Sequence, residues 1–300
     1  MGSVVWRREV FTRGHRWLCR VIAVSTFGCL ILAGACILRV PQTQALLLAT
    51  TTSTDNSGLL GSILPHFEAR TGVKVGVIAV GTGQALAMGE RGDADILLVH
   101  APVLEESFVA AGYGTERFEV MYNDFVIVGP TLDPADIKGY ENAVGALVSI
   151  AATESPWVSR GDESGTHVRE LKLWDAAGIS PKASDNWYMS IGQGMGATLN
   201  FASETDSYTL SDRATFLALS DQLSHLTLLL GGKSIEHNPD PTLYNYYSVI
   251  PVSPRISGAN NLGVALQFVS WVTSPETQEH ISRFGIEQFG QPLFIPNMRR

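Results

Sequence analysis

Between residues 46 and 110 the chain alternates three times between a short apolar run and a helical pattern, and that alternation decides its fold class. Leu46-Leu-Leu-Ala-Thr50 reads as a buried strand, and the helix after it carries Leu59, Leu60, Ile63, Leu64 and Phe67 on one face. Lys74–Val80 leads to a second helix through Ala85, Leu86 and Met88, and residues 94–100 lead to a third, opened by Pro102 in its first turn. Strands joined by crossover helices lie parallel in one sheet, so the chain is expected to be α/β. In such sheets a ligand sits beyond the carboxyl ends of the strands, where helix N-termini converge.

Phe118–Pro130 is one long extended stretch, longer than an ordinary strand, and a new α/β series follows it. That series reads as a helix over 140–152, a strand over 156–159 and a helix with Val168, Leu171, Trp174 and Ala177 apolar, stopped by Gly178. It continues with a strand over 187–191, the turn Gly192-Gln-Gly-Met-Gly196, a helix over 197–204 and a strand over 207–210. A helix capped by Ser211, with Asp212 in its first turn, ends the series. Residues 244–252 form a second extended run, and the last two helices, 261–272 and 275–284, are expected to pack back on the first lobe. Two crossings make two lobes with a cleft between them. The expected boundaries are 46–123 and 250–300 for the first lobe and 124–249 for the second.

Three strand-to-helix junctions share one chemical character. Thr51-Thr52-Ser53, Gly81-Thr82-Gly83 and the stretch Arg160-Gly-Asp-Glu-Ser164-Gly165-Thr166 are rich in hydroxyls and glycine, and only the third holds a cation. The first amides of a helix lack internal partners and carry about half a positive charge from the macrodipole. Small residues let an anion approach those amides, and a guanidinium beside them can bind two oxygens at once. One such junction reads equally well as an ordinary helix cap; three together read as a site for an oxyanion.

The first 45 residues differ from the rest. Arg7, Arg8, Arg13, Arg16 and Arg20 precede an uncharged apolar run over 21–38, and Thr43-Gln44-Ala45 follows. This is the pattern of a secretory signal peptide cut after Ala45, with a retained membrane anchor as the alternative. A lipid-anchored form would use Cys36, but Ala33-Gly34-Ala35 is a poor lipidation signal. Cys19, Cys29 and Cys36 all lie in this segment, so the exported chain has no thiol, disulfide or thiolate metal site. Six of the 21 basic side chains and one of the 29 acidic ones also lie there, leaving 15 against 28, a balance of −13. That balance argues against nucleic acid as a partner. An anion must then be held by local geometry rather than by net attraction.

Several motifs fail. Gly192–Gly196 has the wrong spacing for a dinucleotide fingerprint, and Gly232-Lys233-Ser234 lacks the first glycine of a phosphate-binding P-loop, which is Thr227. Ser164 lacks the glycines of a nucleophile elbow, and His66, His100, His167, His225, His237 and His280 show no metal-ligand spacing. His167 reads as a solvated or capping residue in a first helical turn. Asp162 and Glu163 are adjacent and so do not face one substrate together. No catalytic constellation, metal site or cofactor motif survives.

Thr50-Thr-Thr-Ser-Thr-Asp-Asn-Ser-Gly-Leu-Leu60, Val80-Gly-Thr-Gly-Gln-Ala-Leu86, Gly92-Asp-Ala-Asp-Ile-Leu-Leu-Val-His100 and Tyr122-Asn-Asp-Phe125 resemble the periplasmic tungstate-binding proteins of ABC uptake systems. So do residues 159–167, 192–196 and Tyr208-Thr-Leu-Ser-Asp-Arg-Ala-Thr215, and the likeness runs from about Ala49 to Pro296, looser over 251–261. The resemblance implies a two-lobed periplasmic binding protein fold of the second type, a tetrahedral oxyanion in the cleft, a membrane permease as partner, a monomer and no catalysis. The positions that match the family's ligand residues are Thr52, Ser53, Thr82, Gly83, Arg160, Ser164, Gly165 and Thr166.

Tungstate is a dianion without a proton at neutral pH, so its site needs donors only. A phosphate site must also offer an acceptor, and Asp55 and Asp162 lie inside two of the turns, so a phosphate-like ligand stays open beside molybdate and sulfate. A secreted phosphate-ester enzyme would gather similar donors, but it needs a nucleophile with a base, or a metal. A sensor domain that shows its loaded form to a receptor is a third reading.

Overall fold

The computed structural model describes residues 45–256 and 261–297, so the expected signal peptide lies outside the described residues. The chain runs through β1 (Ala45–Thr51), α1 (Thr52–Asn56), α2 (Leu59–Thr71), β2 (Lys74–Val80), α3 (Thr82–Arg91), β3 (Ile96–Val99) and α4 (Pro102–Ala110). β1 pairs in parallel with β2 on one side and β3 on the other, as strand–helix alternation demands. All four residues of β3 are buried, the mark of a strand covered on both faces. Helix α2 buries Leu59, Leu60, Ile63, Leu64 and Phe67, the apolar stripe read from the sequence.

β4 (Phe118–Pro130) belongs to both halves of the molecule. Residues 118–124 pair antiparallel with β9 (Tyr244–Pro251), which pairs in turn with β3. Residues 125–130 pair instead with β7 (Thr209–Asp212) and β8 (Leu226–Leu230). Between these lie α5 (Ala143–Ala152), β5 (Trp157–Ser159), α6 (Gly165–Ala176), β6 (Tyr188–Ser190), α7 (Met195–Glu204) and α8 (Arg213–Leu219), with β5 and β6 forming a parallel pair. The return is made by α9 (Leu262–Val272), α10 (Pro275–Arg283), α11 (Ile286–Phe289) and β10 (Ile295–Pro296), which pairs with β4 at Met121 and Tyr122.

Each lobe has a core on both faces of its sheet. In the first lobe Leu46, Leu48 and Ile96 pack against α2 and α9, while Ala49, Leu97 and Val99 pack against α3 and α4. In the second, Phe125 and Ile127 face α5 and α6, and Val126 and Val128 face α7. The side chains alternate because successive strand residues point to opposite faces.

The two crossings lie at one level. Asp124 is opposite Tyr244, and its buried carboxylate takes hydrogen bonds from Arg213 Nε at 2.8 Å, Arg213 Nη2 at 2.6 Å and Asn238 Nδ2 at 2.8 Å. Removing one member of such a buried pair leaves an uncompensated charge and costs on the order of 3–5 kcal/mol, so the pair fixes where β4 passes between lobes.

The elements differ from the sequence reading in several details, and α5 begins at Ala143, capped by Asn142, rather than at residue 140. Helix α8 is capped by Asp212 rather than Ser211, its carboxylate accepting from the Thr215 amide at 2.8 Å, because pairing with Phe125 extends β7 through Asp212. Helix α7 begins at Met195 rather than Ala197, directly after the turn glycine 194. Strand β8 had no counterpart in the sequence pattern; Leu226–Leu230 is an apolar run that only its pairing with β4 makes a strand.

Candidate functional site

Thr51 is opposite Val80, and Thr50 opposite Leu98, so the residues that follow β1, β2 and β3 emerge side by side: Thr52, Gly81-Thr82 and His100. Thr52 and Ser53 open α1, Thr82 and Gly83 open α3, and Pro102 opens α4. In the second lobe Arg160 follows β5, Ser164 caps α6 by accepting from the His167 amide, and Gly194 precedes α7. Helix N-termini thus converge from both lobes, as the strand ends require.

The Arg160–Ser164 turn is wound by two left-handed residues, Gly161 (φ 61°) and Glu163 (φ 58°). A Cβ at Gly161 would sit 1.9 Å from Ser190 Oγ, so glycine is required by space as well as by φ. The Gln193 amide donates to Arg160 O at 3.1 Å, tying this turn to the glycine-rich one before α7. The Arg160 side chain is buried, with Nη2 on Asp162 Oδ2 at 2.5 Å and Nη1 on Thr166 Oγ1 at 3.4 Å. Burial works against the Asp162 charge, but hydrogen bonds from Ser164 and the Arg160 guanidinium outweigh it and hold that carboxyl below its ordinary range. Asp162 Oδ1 accepts from the Ser164 amide at 3.2 Å, so both its oxygens are engaged.

Four buried side-chain polar atoms among the described residues have no hydrogen-bond partner, and two of them are Arg160 Nε and Thr82 Oγ1. Buried donors without partners cost about 1–3 kcal/mol each and are therefore rare. Both belong to turns that the sequence singled out as oxyanion donors.

Arg160, Asp162, Thr52 and Ser53 line one cleft of about 1160 Å³ between the lobes, with Gly194-Met195-Gly196 and Thr215 on the second-lobe wall and residues of α10 and α11 also in its lining. Thr82, Gly83, Ser164, Gly165 and Thr166 are not part of that wall. Thr82 is buried at the start of α3, Gly83 is exposed, Thr166 is buried behind Arg160, and Gly165 packs on His100.

His100 is the residue that the sequence reading passed over. It is buried, with Nε2 3.1 Å from Thr51 Oγ1 and 3.4 Å from Ser53 Oγ, and Nδ1 3.0 Å from Asn245 Oδ1 on β9. The Asn245 amide nitrogen donates to Asn123 Oδ1 and to the Tyr247 hydroxyl, so its oxygen faces His100 as acceptor and Nδ1 carries the proton. Nε2 is then left to accept a hydroxyl proton from the Thr51 turn. Burial, with the nearby Arg169 and Arg160 charges, lowers the imidazole pKa to about 4 and keeps the ring neutral. Its position directly after a buried strand was the available signal, since that is where ligand-facing residues emerge.

A buried network around Glu170 and a pair of arginine contacts support the second-lobe turn. In the second lobe Glu170 accepts from Trp157 Nε1, Trp174 Nε1 and Tyr188 Oη at 2.9, 3.3 and 2.9 Å, and from Ser159 Oγ at 2.8 Å, one residue before Arg160. Burial raises its pKa to about 7 in spite of these donors. Arg169, one turn further along α6 from the cleft, donates to the Thr242 and Tyr244 carbonyls at the return crossing.

Fold and cleft define a solute-binding protein of the periplasmic binding class, two α/β lobes on a shared strand pair with helix N-termini facing the gap. A family model described as a PBP superfamily domain matches residues 39–276. The chain is 46% identical over 263 residues to the tungstate-binding protein TupA of Peptoclostridium acidaminophilum, covering 86% of this chain and 88% of that one. Among solved structures it is similar to the tungstate-binding protein TupA from Desulfovibrio alaskensis G20 (TM-score 0.75, 45% identity, 85% of this chain and 100% of that one). It is also similar to the tungstate ABC transporter structure from Geobacter sulfurreducens (TM-score 0.70, 46% identity, 80% and 98%). The chain belongs to the TupA family of solute-binding proteins. These relatives are named as binding and transport proteins, not as enzymes.

Proposed function

We propose that this protein captures tungstate in the inter-lobe cleft and delivers it to the permease of an ABC importer. The observation that carries the reading is the pair of unpartnered buried donors, Arg160 Nε and Thr82 Oγ1, one from each lobe, at turns that also carry hydroxyls and helix-start amides. The ligand residues are Thr52, Ser53, Thr82, Gly83, Arg160, Ser164, Gly165 and Thr166, with charge on the second lobe and neutral donors on the first.

The donor set favours a fully deprotonated oxyanion over phosphate. Each oxygen of Asp162 already accepts a hydrogen bond, from Arg160 and from the Ser164 amide, and Asp55 is exposed and does not line the cleft, so neither carboxylate stands there as an unengaged acceptor for a ligand proton. The names of the relatives support tungstate within that class. Export follows from the N-terminal segment, with the released chain starting near Leu46 and acting as a monomer. The strand pairing supports crossings at residues 124–125 and 243–244, with the whole of β9 in the first lobe.

Calorimetric titration of the protein purified from the cell envelope with tungstate, molybdate, sulfate and phosphate tests the reading. Tight binding of tungstate with no heat from phosphate is expected; phosphate bound more tightly than tungstate would overturn it.

A further inference from the structure

Gly165 and His100 meet where the two lobes touch. A methyl group built on Gly165 would lie 2.8 Å from His100 Cε1 and 3.3 Å from Nδ1, so the first residue of α6 already rests on the ring that follows β3. The ring has little freedom to withdraw. Nδ1 is held by Asn245, Nε2 by the Thr51 turn, and the face lies against Tyr247 with centroids 4.7 Å apart. Tyr247 is itself buried on β9 among Asn123, Asn245 and Phe294.

The donors of the two lobes flank this contact directly. Ser53 Oγ is within 3.4 Å of His100 Nε2, and Thr166, next to Gly165, carries the Arg160 contact. Whatever distance the ring imposes on Gly165 is therefore the distance between the two donor sets. Tungstate and sulfate have the same charge and shape, and differ in that tungsten–oxygen bonds are longer than sulfur–oxygen bonds. Hydrogen bonds weaken steeply once donor and acceptor separate beyond about 3.5 Å, so a gap that cannot shrink discriminates against the smaller ion.

We propose that His100 is a specificity-determining spacer, whose ring against Gly165 sets the gap between the lobes and so excludes oxyanions smaller than tungstate. The proposal rests on the oxyanion reading above and gives it a residue that selects by size. A flexible side chain at position 100 would yield to lobe closure, and a smaller one would let the donors close on sulfate. The same contact accounts for glycine at 165, where no positive φ demands it.

The test compares tungstate and sulfate affinities, by calorimetry, of the exported protein and its His100→Ala, Gly165→Ala and double variants. His100→Ala is expected to lower the tungstate-to-sulfate affinity ratio about tenfold or more. Gly165→Ala, whose methyl pushes on the ring, is expected to weaken tungstate about tenfold, and the double variant to regain part of that loss because the ring is gone. Equal weakening of both ions by His100→Ala would mean a structural role and would overturn the proposal. So would a Gly165→Ala protein that binds tungstate as tightly as the parent, a result that does not depend on the His100 variant folding. A parent that binds neither ion removes the oxyanion reading and the spacer with it. A parent that binds tungstate over sulfate, with an unchanged ratio in the variants, removes the spacer alone.

Discussion

The two lobes solve one problem with opposite chemistry. The first lobe lines the cleft with the hydroxyls of Thr52 and Ser53, the latter beside an uncharged His100; the second lines it with the guanidinium of Arg160. Their interiors are opposite too. Glu105 in the first lobe is buried with a cation beside it, Arg117 Nε at 2.7 Å, and accepts the Ser248 hydroxyl as well. Glu170 in the second is buried among four neutral donors. The Arg160 guanidinium pairs with the partly exposed Asp162, and its charge also acts on the buried Asp212. Affinity is expected to reside mainly in the second lobe, and shape selection in the first.

The largest effect should come from Arg160. Truncating one member of a buried charge-assisted contact costs on the order of 2–5 kcal/mol, so Arg160→Ala should weaken tungstate by about 30-fold or more. Arg160→Lys should recover only part, since lysine keeps the charge and loses the two-pronged geometry. Titration of both variants checks this, with circular dichroism to confirm the fold. An Arg160→Ala protein that binds like the parent would erase the difference between the lobes.

A smaller effect separates the two buried titrating groups. His100 has a folded pKa near 4 against an ordinary 6.5, so the unfolded chain takes up its proton first and stability falls as pH drops from 6.5 toward 4. Glu170 has a folded pKa near 7 against 4.5, so its contribution is full below 4.5 and is lost as pH rises toward 7. Between about 4.5 and 6.5 the two slopes oppose each other, each at most about 1.4 kcal/mol per pH unit. Glu170→Gln removes one of them. Its melting temperature should therefore fall more steeply than the parent's on acidification through that window. Parallel melting curves would show that Glu170 does not hold its proton in the fold.

The smallest effect tests the first lobe. Thr82→Val removes a buried hydroxyl that has no partner within the protein, so binding should weaken by about 1 kcal/mol, roughly fivefold. Without ligand the variant should melt at the parent temperature or slightly above it, because an unsatisfied polar group has been replaced by an apolar one of similar shape. Lower melting with unchanged affinity would make Thr82 a structural residue and leave the first lobe without a demonstrated donor at that turn.

The sequence alone determined what depends on near neighbours. The strand-helix alternation, the 118–130 crossing strand, the apolar stripe of α2 and the three hydroxyl-rich junctions were legible because side-chain period, helix capping and turn chemistry act over a few residues. Family motifs then picked out Arg160 and Thr82, and the structure leaves a buried donor of each without a partner. What the chain order hid is what distant residues do to one another. β8 is an undistinguished apolar run until β4 pairs with it, and Asp212 caps α8 only because the same strand draws it into the sheet. Asp124 finds Arg213 across 89 residues, and His100 meets Asn245 across 145. The ring of His100 gains its meaning from Gly165 on the opposite lobe. No periodicity records such contacts, because they form only when strands and lobes distant in the chain are brought together.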